Sequence, residues 1–181
     1  IGVARITGAL GVFKAYSTRV GEGPMPTETL DETGEKLRVR GHEFGTTTGR
    51  PRRCGWFDGV AGRYAARVNG LTTAALTLLD VLDEFDTVKL ATSYETPAGR
   101  LTVMPAKISV LRSARPVYET LPGWRSPTSH CRQFSDLPAA ARSFVQRLES
   151  VVGVRFSLIS VGPDRDQTIV RDREAIEKLF I

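Results

Sequence analysis

The apolar positions along the chain repeat at two spacings, one typical of helices and one typical of strands. Near the start, Ile6, Leu10 and Phe13 follow one another at intervals of four and three residues. This spacing keeps apolar side chains on one face of a helix. We therefore predict a helix over residues 1–17, followed by a segment rich in turns.

Three more helices are predicted from the same spacing, together with residues that favour helix starts and ends. Asp side chains accept hydrogen bonds from the backbone N–H groups of a first helical turn, and Gly tolerates the left-handed conformation that closes a helix. The predicted helices are residues 59–69 (capped by Asp58, closed by Gly70), 137–152 (capped by Asp136, closed by Gly153) and 172–180.

Strands are predicted where apolar residues run on without interruption or alternate with polar ones. The candidates are residues 74–79, 87–94 and 154–161. The segment 18–55 is rich in Gly, Pro and Thr, and residues 31–34 are predicted to form a turn between short extended pieces. The segment 97–136 is rich in Pro, Ser and Arg and is predicted to be an irregular subdomain or a long excursion.

This alternation of strands and helices predicts an α/β fold. In such folds, ligands bind beyond the carboxyl ends of the strands. Two polar features lie at predicted strand ends, namely Asp80 and the turn Ser160–Val161–Gly162. We therefore expect both to lie near a binding site.

Length and composition narrow the class of protein. The 181 residues, 41% apolar and 25% charged, are typical of one globular domain, and no apolar run is long enough to span a membrane. The sequence lacks the features of a signal peptide, and Cys54 and Cys131 are expected to be unpaired thiols in a reducing cytoplasm. A net charge of +5 favours anionic partners, and nucleotides, nucleic acid or simple solubility would all explain it.

The segment Gly45–Arg53 has the composition of an anion-binding loop. It combines three threonines, two glycines and three arginines, whose hydroxyl, backbone N–H and guanidinium groups all donate to carboxylate or phosphate. It is not a Walker A motif, because three residues instead of four separate its glycines and Arg50 follows where that motif has lysine. A solvated basic surface loop remains the alternative.

Asp80 is the sharpest single candidate for base recognition. A carboxylate at the end of a buried strand can accept hydrogen bonds from both N1–H and N2–H of guanine, a donor pair that adenine lacks. The alternative is an aspartate that caps the next turn. His42 and His130 are expected to be surface or hydrogen-bonded residues, without a catalytic role.

Several motifs occur together in one order along nearly the whole chain. They are Lys14–Pro24 with Pro26–Glu28, Gly45–Asp58, Leu76–Asp83, Tyr118–Trp124 and Ser160–Arg165. From about residue 9 onward this series resembles the adenylosuccinate synthetase family. The resemblance implies part of a P-loop-NTPase-like, mostly parallel sheet flanked by helices. Members of that family are usually more than twice this length, so residues 1–181 resemble the carboxy-terminal part of a single domain whose amino-terminal catalytic part is absent.

The resemblance also assigns binding roles by residue. Aspartate and IMP would be bound by Val20, Thr46, Thr47, Thr48, Gly49, Arg50, Pro51 and Arg52. GTP would be bound by Arg52, Leu78, Leu79, Asp80, Ser160, Val161 and Gly162. Leu78 stands where the family has lysine, so it keeps an apolar contact and loses a charge. No catalytic residue and no metal ligand is expected in this chain, and Arg53 is expected to be solvated.

The implied activity is the GTP-dependent ligation of IMP and L-aspartate to adenylosuccinate in purine biosynthesis. The implied setting is a cytoplasmic homodimer that binds neither nucleic acid nor membrane, with Mg²⁺ held by the absent amino-terminal part. The isolated chain is expected to be inactive. Two alternatives remain, a non-catalytic nucleotide-binding homologue, which Leu78 favours, and a basic nucleic-acid-binding module whose affinity would fall with salt.

Overall fold

A computed structural model describes residues 7–180 of the chain. Within that part the strands are β1 (Leu10–Lys14), β2 (Ser17–Arg19), β3 (Arg53–Gly55), β4 (Phe57–Asp58), β5 (Thr73–Thr77), β6 (Thr87–Thr96), β7 (Gly99–Leu101), β8 (Arg115–Pro122), β9 (Phe156–Ser160) and β10 (Thr168–Val170). The α-helices are α1 (Glu32–Arg40), α2 (Gly59–Val68), α3 (Ile108–Ser113), α4 (Ala139–Val152) and α5 (Arg173–Glu177).

The central sheet has the strand order β1-β5-β9-β10. The first three strands are parallel and β10 runs antiparallel to β9. β5 and β9 confirm the buried strands predicted over residues 74–79 and 154–161. Leu76 of β5 pairs with Ile159 of β9, and both side chains are fully buried. Because β5 and β9 are parallel neighbours, their carboxyl ends lie at one edge of the sheet.

A second sheet is built around β6, which pairs in parallel with β4 and antiparallel with β7 and β8. The prediction that residues 97–136 are irregular is wrong for the part that contains β7, α3 and β8. The side chains of β8 are mostly only half-buried, and two prolines and several charged residues interrupt its pattern, so the sequence carries little strand signal.

The predicted helices in the middle and at the end of the chain are confirmed. Asp58 Oδ1 accepts a hydrogen bond from the Ala61 N–H group at 3.0 Å and caps α2. Gly153 ends α4 in the left-handed conformation (φ 82°). Pro138, however, precedes α4 where Asp136 was expected, because Asp136 accepts from backbone N–H groups of the preceding loop.

The helix predicted over residues 1–17 is wrong where the structure describes it. Residues 10–14 form β1 and residues 17–19 form β2, while residues 1–6 lie outside the described part. The three- and four-residue spacing is misleading here, since Leu10 is exposed on the strand whereas Phe13 packs against the core. The pairing of residues 10–14 with β5 therefore makes this segment a strand.

Helix α1 occupies the place where a turn was predicted. Asp31 is its N-cap and accepts hydrogen bonds from the N–H groups of Thr33 (2.9 Å) and Gly34 (3.4 Å). Only Gly34 and Leu37 of this helix are buried, so no apolar stripe reveals it in the sequence. Across residues 7–180, no helix combines the length and apolar character needed to cross a membrane.

Candidate functional site

Two clusters of charged groups lie on either side of helix α1. The first is the arginine loop, which we define as residues 45–53. The second is the Asp80 cavity, a cleft beside the carboxyl end of β5. Each contains residues that the sequence assigned to ligand binding.

The arginine loop is a tight excursion stabilised by its own backbone. The Gly45 N–H donates to the Arg50 carbonyl and the Gly49 N–H to the Gly45 carbonyl, both at 2.8 Å. A bridge between Phe44 and Pro51 closes its base, and Gly49 adopts a positive φ of 64°. Residues 46–51 are exposed, so the loop presents its threonines and Arg50 outward.

Arg52 differs from Arg50 because its side chain turns back into the protein. Its Nη1 donates to Glu43 Oε2 at 2.7 Å. Its Nε is buried and has no hydrogen-bond partner among the described residues. A guanidinium with unpaired donors is suited to binding a carboxylate or phosphate.

Glu43 lies beneath the loop and is 1% exposed. Its Oε1 accepts hydrogen bonds from Lys14 Nζ at 2.5 Å and from the Tyr16 hydroxyl at 2.6 Å. Burial acts to raise the pKa of Glu43, but the hydrogen bonds from Lys14, Tyr16 and Arg52 outweigh it and keep that pKa below its ordinary value. Glu43 is therefore a buried carboxylate anion.

Arg53 is not solvated, contrary to the expectation from sequence. Its Nε donates to Glu28 Oε1 at 2.8 Å, and its Nη1 donates to the Gly23 carbonyl at 2.8 Å and the Gly21 carbonyl at 3.3 Å. Arg53 thus fixes the segment that follows β2. The antiparallel register pairs Arg19 with Arg53, and exposed Val20 directly follows Arg19 at the end of β2.

The Asp80 cavity has a volume of about 590 Å³. Its walls combine cationic, anionic and hydroxyl groups from α1, the turn after β5 and the loop after β8. The lining residues are Lys36, Arg40, Asp80, Asp83, Glu84, Arg125, Ser126, Pro127 and Ser129. A cavity of this size can hold a nucleobase with its sugar.

Asp80 has a carboxylate oxygen with no partner. Its Oδ1 is buried and accepts no hydrogen bond from the described residues. Burial raises the pKa of Asp80 and the nearby Asp83 charge adds to this, whereas a hydrogen bond from the residue's own backbone N–H group and the Arg40 charge oppose it. Leu78, two residues earlier, adopts a left-handed conformation with φ 60°, which is unusual for a residue of its size.

Helix α1 contacts both clusters through its last turn. Arg40 donates from Nε to the Val81 carbonyl at 2.8 Å and from Nη2 to the Asp80 carbonyl at 3.0 Å. Arg38 donates from Nε to the Arg52 carbonyl at 2.9 Å. The helix that the sequence did not reveal therefore fixes the backbone of both candidate residues.

Asp83 is a second buried carboxylate in the same turn, and it is fully engaged. It accepts hydrogen bonds from Trp124 Nε1 at 2.7 Å and from the Thr128 N–H and hydroxyl groups at 2.8 and 2.9 Å. These bonds fix the loop that supplies Ser126 and Ser129 to the cavity wall. Asp83 and Trp124 belong to two separate sequence motifs, and nothing in the sequence connects them.

The Ser160–Gly162 turn follows β9, next to the end of β5. A Cβ on Gly162 would lie 2.1 Å from Gln167 Oε1, so a larger residue here would displace the end of the Gln167 side chain. Gln167 Nε2 in turn donates to the Ser129 carbonyl at 3.3 Å, which connects the turn to the cavity wall. Leu78, Leu79, Ser160, Val161 and Gly162 do not themselves line the cavity, and the side chains of Leu79 and Val161 are buried in the core.

Comparison with known proteins gives the family. The sequence model described as adenylosuccinate synthetase matches residues 1–169. The chain belongs to the adenylosuccinate synthetase family. The family resemblance drawn from the motifs is thereby confirmed.

Two individual adenylosuccinate synthetases share more than half of the aligned residues. The protein from Alkaliphilus metalliredigens is 52% identical over 173 residues, which is 96% of this chain and 40% of that relative. The protein from Geobacter sulfurreducens is 57% identical over 161 residues, 89% of this chain and 37% of the relative. The chain spans about two fifths of the length of the curated relatives it matches.

A solved structure confirms the mixed α/β fold. The fully ligated adenylosuccinate synthetase from Plasmodium falciparum matches with a TM-score of 0.90 and 36% identity, over 95% of this chain and 42% of that chain. The roles of single binding residues stay predictions.

Membership of the adenylosuccinate synthetase family implies a bound Mg²⁺ ion. Within residues 7–180 there is no group of three or more His, Cys, Asp or Glu side chains arranged to hold a metal ion. The carboxylates of the two clusters instead pair with cations or with hydroxyl, indole and backbone donors, or stand alone as Asp80 does. These residues do not fit a Mg²⁺ site.

Proposed function

We propose that this chain supplies the guanine pocket and the aspartate- and IMP-binding loop of an enzyme that ligates IMP and L-aspartate with GTP. The observation that carries the proposal is the unpartnered Oδ1 of Asp80 in a cavity large enough for a nucleobase. A buried acceptor without a donor costs free energy unless a ligand provides one. Guanine provides two adjacent N–H donors at N1 and N2.

The cavity walls support a nucleotide ligand in two further ways. Lys36, Arg40 and Arg125 line the same cavity and supply N–H donors to a polar ligand, while Glu84 and Asp86 balance much of their charge. The Ser160–Gly162 turn, connected to the cavity wall through Gln167, would contribute backbone groups toward the guanine O6, since the side chain of Val161 is buried.

The arginine loop would bind the amino acid and part of IMP. Arg52 has unpaired guanidinium donors for the aspartate carboxylate, and the backbone of Val20, which follows the residue paired with Arg53, would approach the IMP ribose. Exposed Arg50, Gly49, Pro51 and the three threonines of the loop would close around these ligands. In this arrangement the chain binds and orients the substrates.

The reaction needs a leaving group at carbon 6 of IMP. GTP would transfer its terminal phosphoryl group to the 6-oxygen, and the aspartate amine would then displace phosphate. We assign the general base, the primary phosphate loop and the Mg²⁺ ligands to an amino-terminal part, with residues 1–181 forming the carboxy-terminal part of the same P-loop-NTPase-like domain in a cytoplasmic homodimer.

A nucleotide-binding homologue without catalysis is the second candidate, and the replacement of the family lysine by Leu78 favours it. A nucleic-acid-binding role has less support. Arg52 and Arg53 of the arginine loop pair with Glu43 and Glu28, so most of the positive charge of this cluster is balanced internally.

The experiment is to fuse this chain to the amino-terminal part of the Geobacter sulfurreducens relative and assay it with IMP, GTP and aspartate. We expect turnover by the fusion protein and none by the 181-residue chain alone. Turnover by the isolated chain would contradict the division of roles. A folded fusion that binds GTP without turnover would favour the non-catalytic homologue, and one that binds no GTP would contradict the guanine pocket.

A further inference from the structure

Glu43 connects strand β1 to the arginine loop, and nothing so far assigns it a role. It follows α1 in sequence, yet its three side-chain partners come from distant segments. Lys14 ends β1, Tyr16 lies between β1 and β2, and Arg52 belongs to the arginine loop. A buried carboxylate with three donors fixes each of them relative to the others.

The contact between Glu43 and Arg52 has two attachment points. The Arg52 N–H group donates to the Glu43 carbonyl at 2.9 Å, and Arg52 Nη1 donates to Glu43 Oε2 at 2.7 Å. Lys14 and Tyr16 occupy the other carboxylate oxygen, so Oε2 stays directed at Arg52. Both backbone and side chain of Arg52 are therefore held by the same residue.

The charge balance leaves Arg52 able to bind an anion. One carboxylate faces two cations, Lys14 and Arg52, so the cluster carries a net positive charge. Among the described residues, only one of the side-chain N–H donors of Arg52 has a protein partner. The remaining donors are oriented without being used.

We propose that Glu43 is a positioning residue that holds the Arg52 guanidinium in the orientation that binds the substrate carboxylate. The proposal rests on the proposed function for what Arg52 binds. Glu43 itself would touch no substrate, because it is buried beneath the loop. Lys14 and Tyr16 would act one step further back, by holding Glu43.

Glu43→Gln removes the charge while keeping nearly the same shape. The amide has one acceptor where the carboxylate has two, and its NH₂ group cannot accept a bond from a cation. Arg52 should therefore leave its fixed position and move toward solvent. The matched control is Glu28→Gln, which makes the same change opposite the neighbouring Arg53.

The first measurement uses the 181-residue chain and the arginine reagent phenylglyoxal, with modified sites assigned by peptide mass spectrometry. Glu43→Gln should speed the modification of Arg52 about tenfold or more, the factor expected for a lost charged hydrogen bond, and leave exposed Arg50 unchanged. Glu28→Gln should speed the modification of Arg53 and leave Arg52 unchanged. An unchanged Arg52 rate in folded Glu43→Gln protein would overturn the proposal.

Folding is monitored through Cys131, whose thiol is buried and forms no disulfide. Cys54 is unsuitable because its Sγ donates to the Arg52 carbonyl. If Glu43→Gln exposes the Cys131 thiol to a thiol reagent, Tyr16→Phe takes its place, because it removes one hydrogen bond to Glu43 and keeps the carboxylate. We then expect a smaller increase in the Arg52 rate, roughly two- to fivefold, since a neutral hydrogen bond contributes less. No increase would overturn the proposal.

The second measurement is kinetic and uses the fusion protein. Glu43→Gln should raise the aspartate KM roughly tenfold and leave the IMP and GTP KM values within about twofold. If Arg52→Leu leaves the aspartate KM unchanged, the proposed role of Arg52 fails. If Arg52→Leu raises that KM while Glu43→Gln raises only the reactivity of Arg52, the positioning role fails and the proposed function stands.

Discussion

The arginine loop and the Asp80 cavity each hold a charged side chain, but they hold it in opposite ways. Arg52 is paired with a buried glutamate that two other donors fix in place. Asp80 has a buried oxygen that no described donor reaches. One side chain has an ionic partner before any ligand arrives, whereas the other has an oxygen without a protein partner.

The difference has an energetic meaning. A paired guanidinium loses little orientational freedom on binding, so the internal partner prepares the site at small cost to the fold. An unpaired buried carboxylate destabilises the folded protein until a ligand provides donors. We therefore expect substitutions in the arginine loop to weaken binding, and substitution of Asp80 to change which ligand binds.

The largest effect should come from Asp80→Asn in the fusion protein. The amide accepts one of the two guanine donors and presents its NH₂ group to the other, while xanthine offers an acceptor at that place. The lost contact to guanine and the gained contact to xanthine each correspond to roughly 1.5–3 kcal/mol. The ratio of kcat/KM for GTP to that for xanthosine triphosphate should therefore fall by roughly 10²–10⁴.

Asp86→Asn is the matched control for that experiment. Asp86 is an exposed carboxylate that pairs with Arg125 near the rim of the cavity. We expect its amide to leave the nucleotide preference unchanged. An unchanged preference in Asp80→Asn as well would remove Asp80 from the guanine site.

The next effect tests the contrast between Asp80 and Asp83, which lie three residues apart. Asp83→Ala would leave Trp124 Nε1 and the donors of Thr128 buried without an acceptor. The free energy of unfolding should fall by about 3 kcal/mol or more, which lowers the Tm by roughly 6–12 °C. Thermal melts of the 181-residue chain measure this, with Asp86→Ala expected to change Tm little. A similar Tm for both variants would refute the idea that Asp83 fixes the cavity wall.

Arg52→Leu should have a somewhat smaller effect, confined to one substrate. Loss of a charged hydrogen-bond partner costs about 1.5–3 kcal/mol, so the aspartate KM should rise roughly ten- to hundredfold with less change in the IMP KM. Arg67→Leu, on the exposed side of α2, serves as the control and should change neither. Equal increases in the KM values for aspartate and IMP would indicate a collapsed loop, not a lost carboxylate contact.

The sequence predicted the two regions unequally well. The place of Asp80 just after a buried strand followed from an apolar run that ends in a carboxylate, a signal that a single strand contains. Glu43 was not predicted as a partner of Arg52, because the Phe44–Pro51 bridge that brings the two residues side by side leaves no pattern in the sequence. An acidic residue shortly before an arginine-rich loop was the one available hint.

The elements that the sequence did not reveal share a physical cause. α1 buries only Gly34 and Leu37, and β8 is mostly half-buried, so neither shows a strong apolar pattern. β1 was mistaken for a helix because its spacing matched by coincidence, and its pairing with β5 overrides local preference. α4 and β5 were predicted because their buried faces are wide and continuous, whereas the prediction of α2 is carried mainly by its Asp58 cap.

The smallest expected effect separates a ligand-binding Asp80 from a turn-capping one in the isolated chain. Burial raises the pKa of Asp80, so the folded state binds its proton more tightly than the unfolded state, and stability falls as pH rises through that titration. Asp80→Asn should therefore stabilise the chain at pH 7 and raise its Tm, because the amide carries no charge to bury. The gain should vanish near and below about pH 4, where the carboxyl of an unperturbed Asp is protonated too.

An aspartate that capped the turn would give the reverse, a loss of stability at pH 7, because the amide accepts less strongly than a carboxylate. Melts of both proteins across this pH range thus measure whether Asp80 lowers the stability of the fold. A residue that is present for ligand binding, and not for capping, is expected to do so.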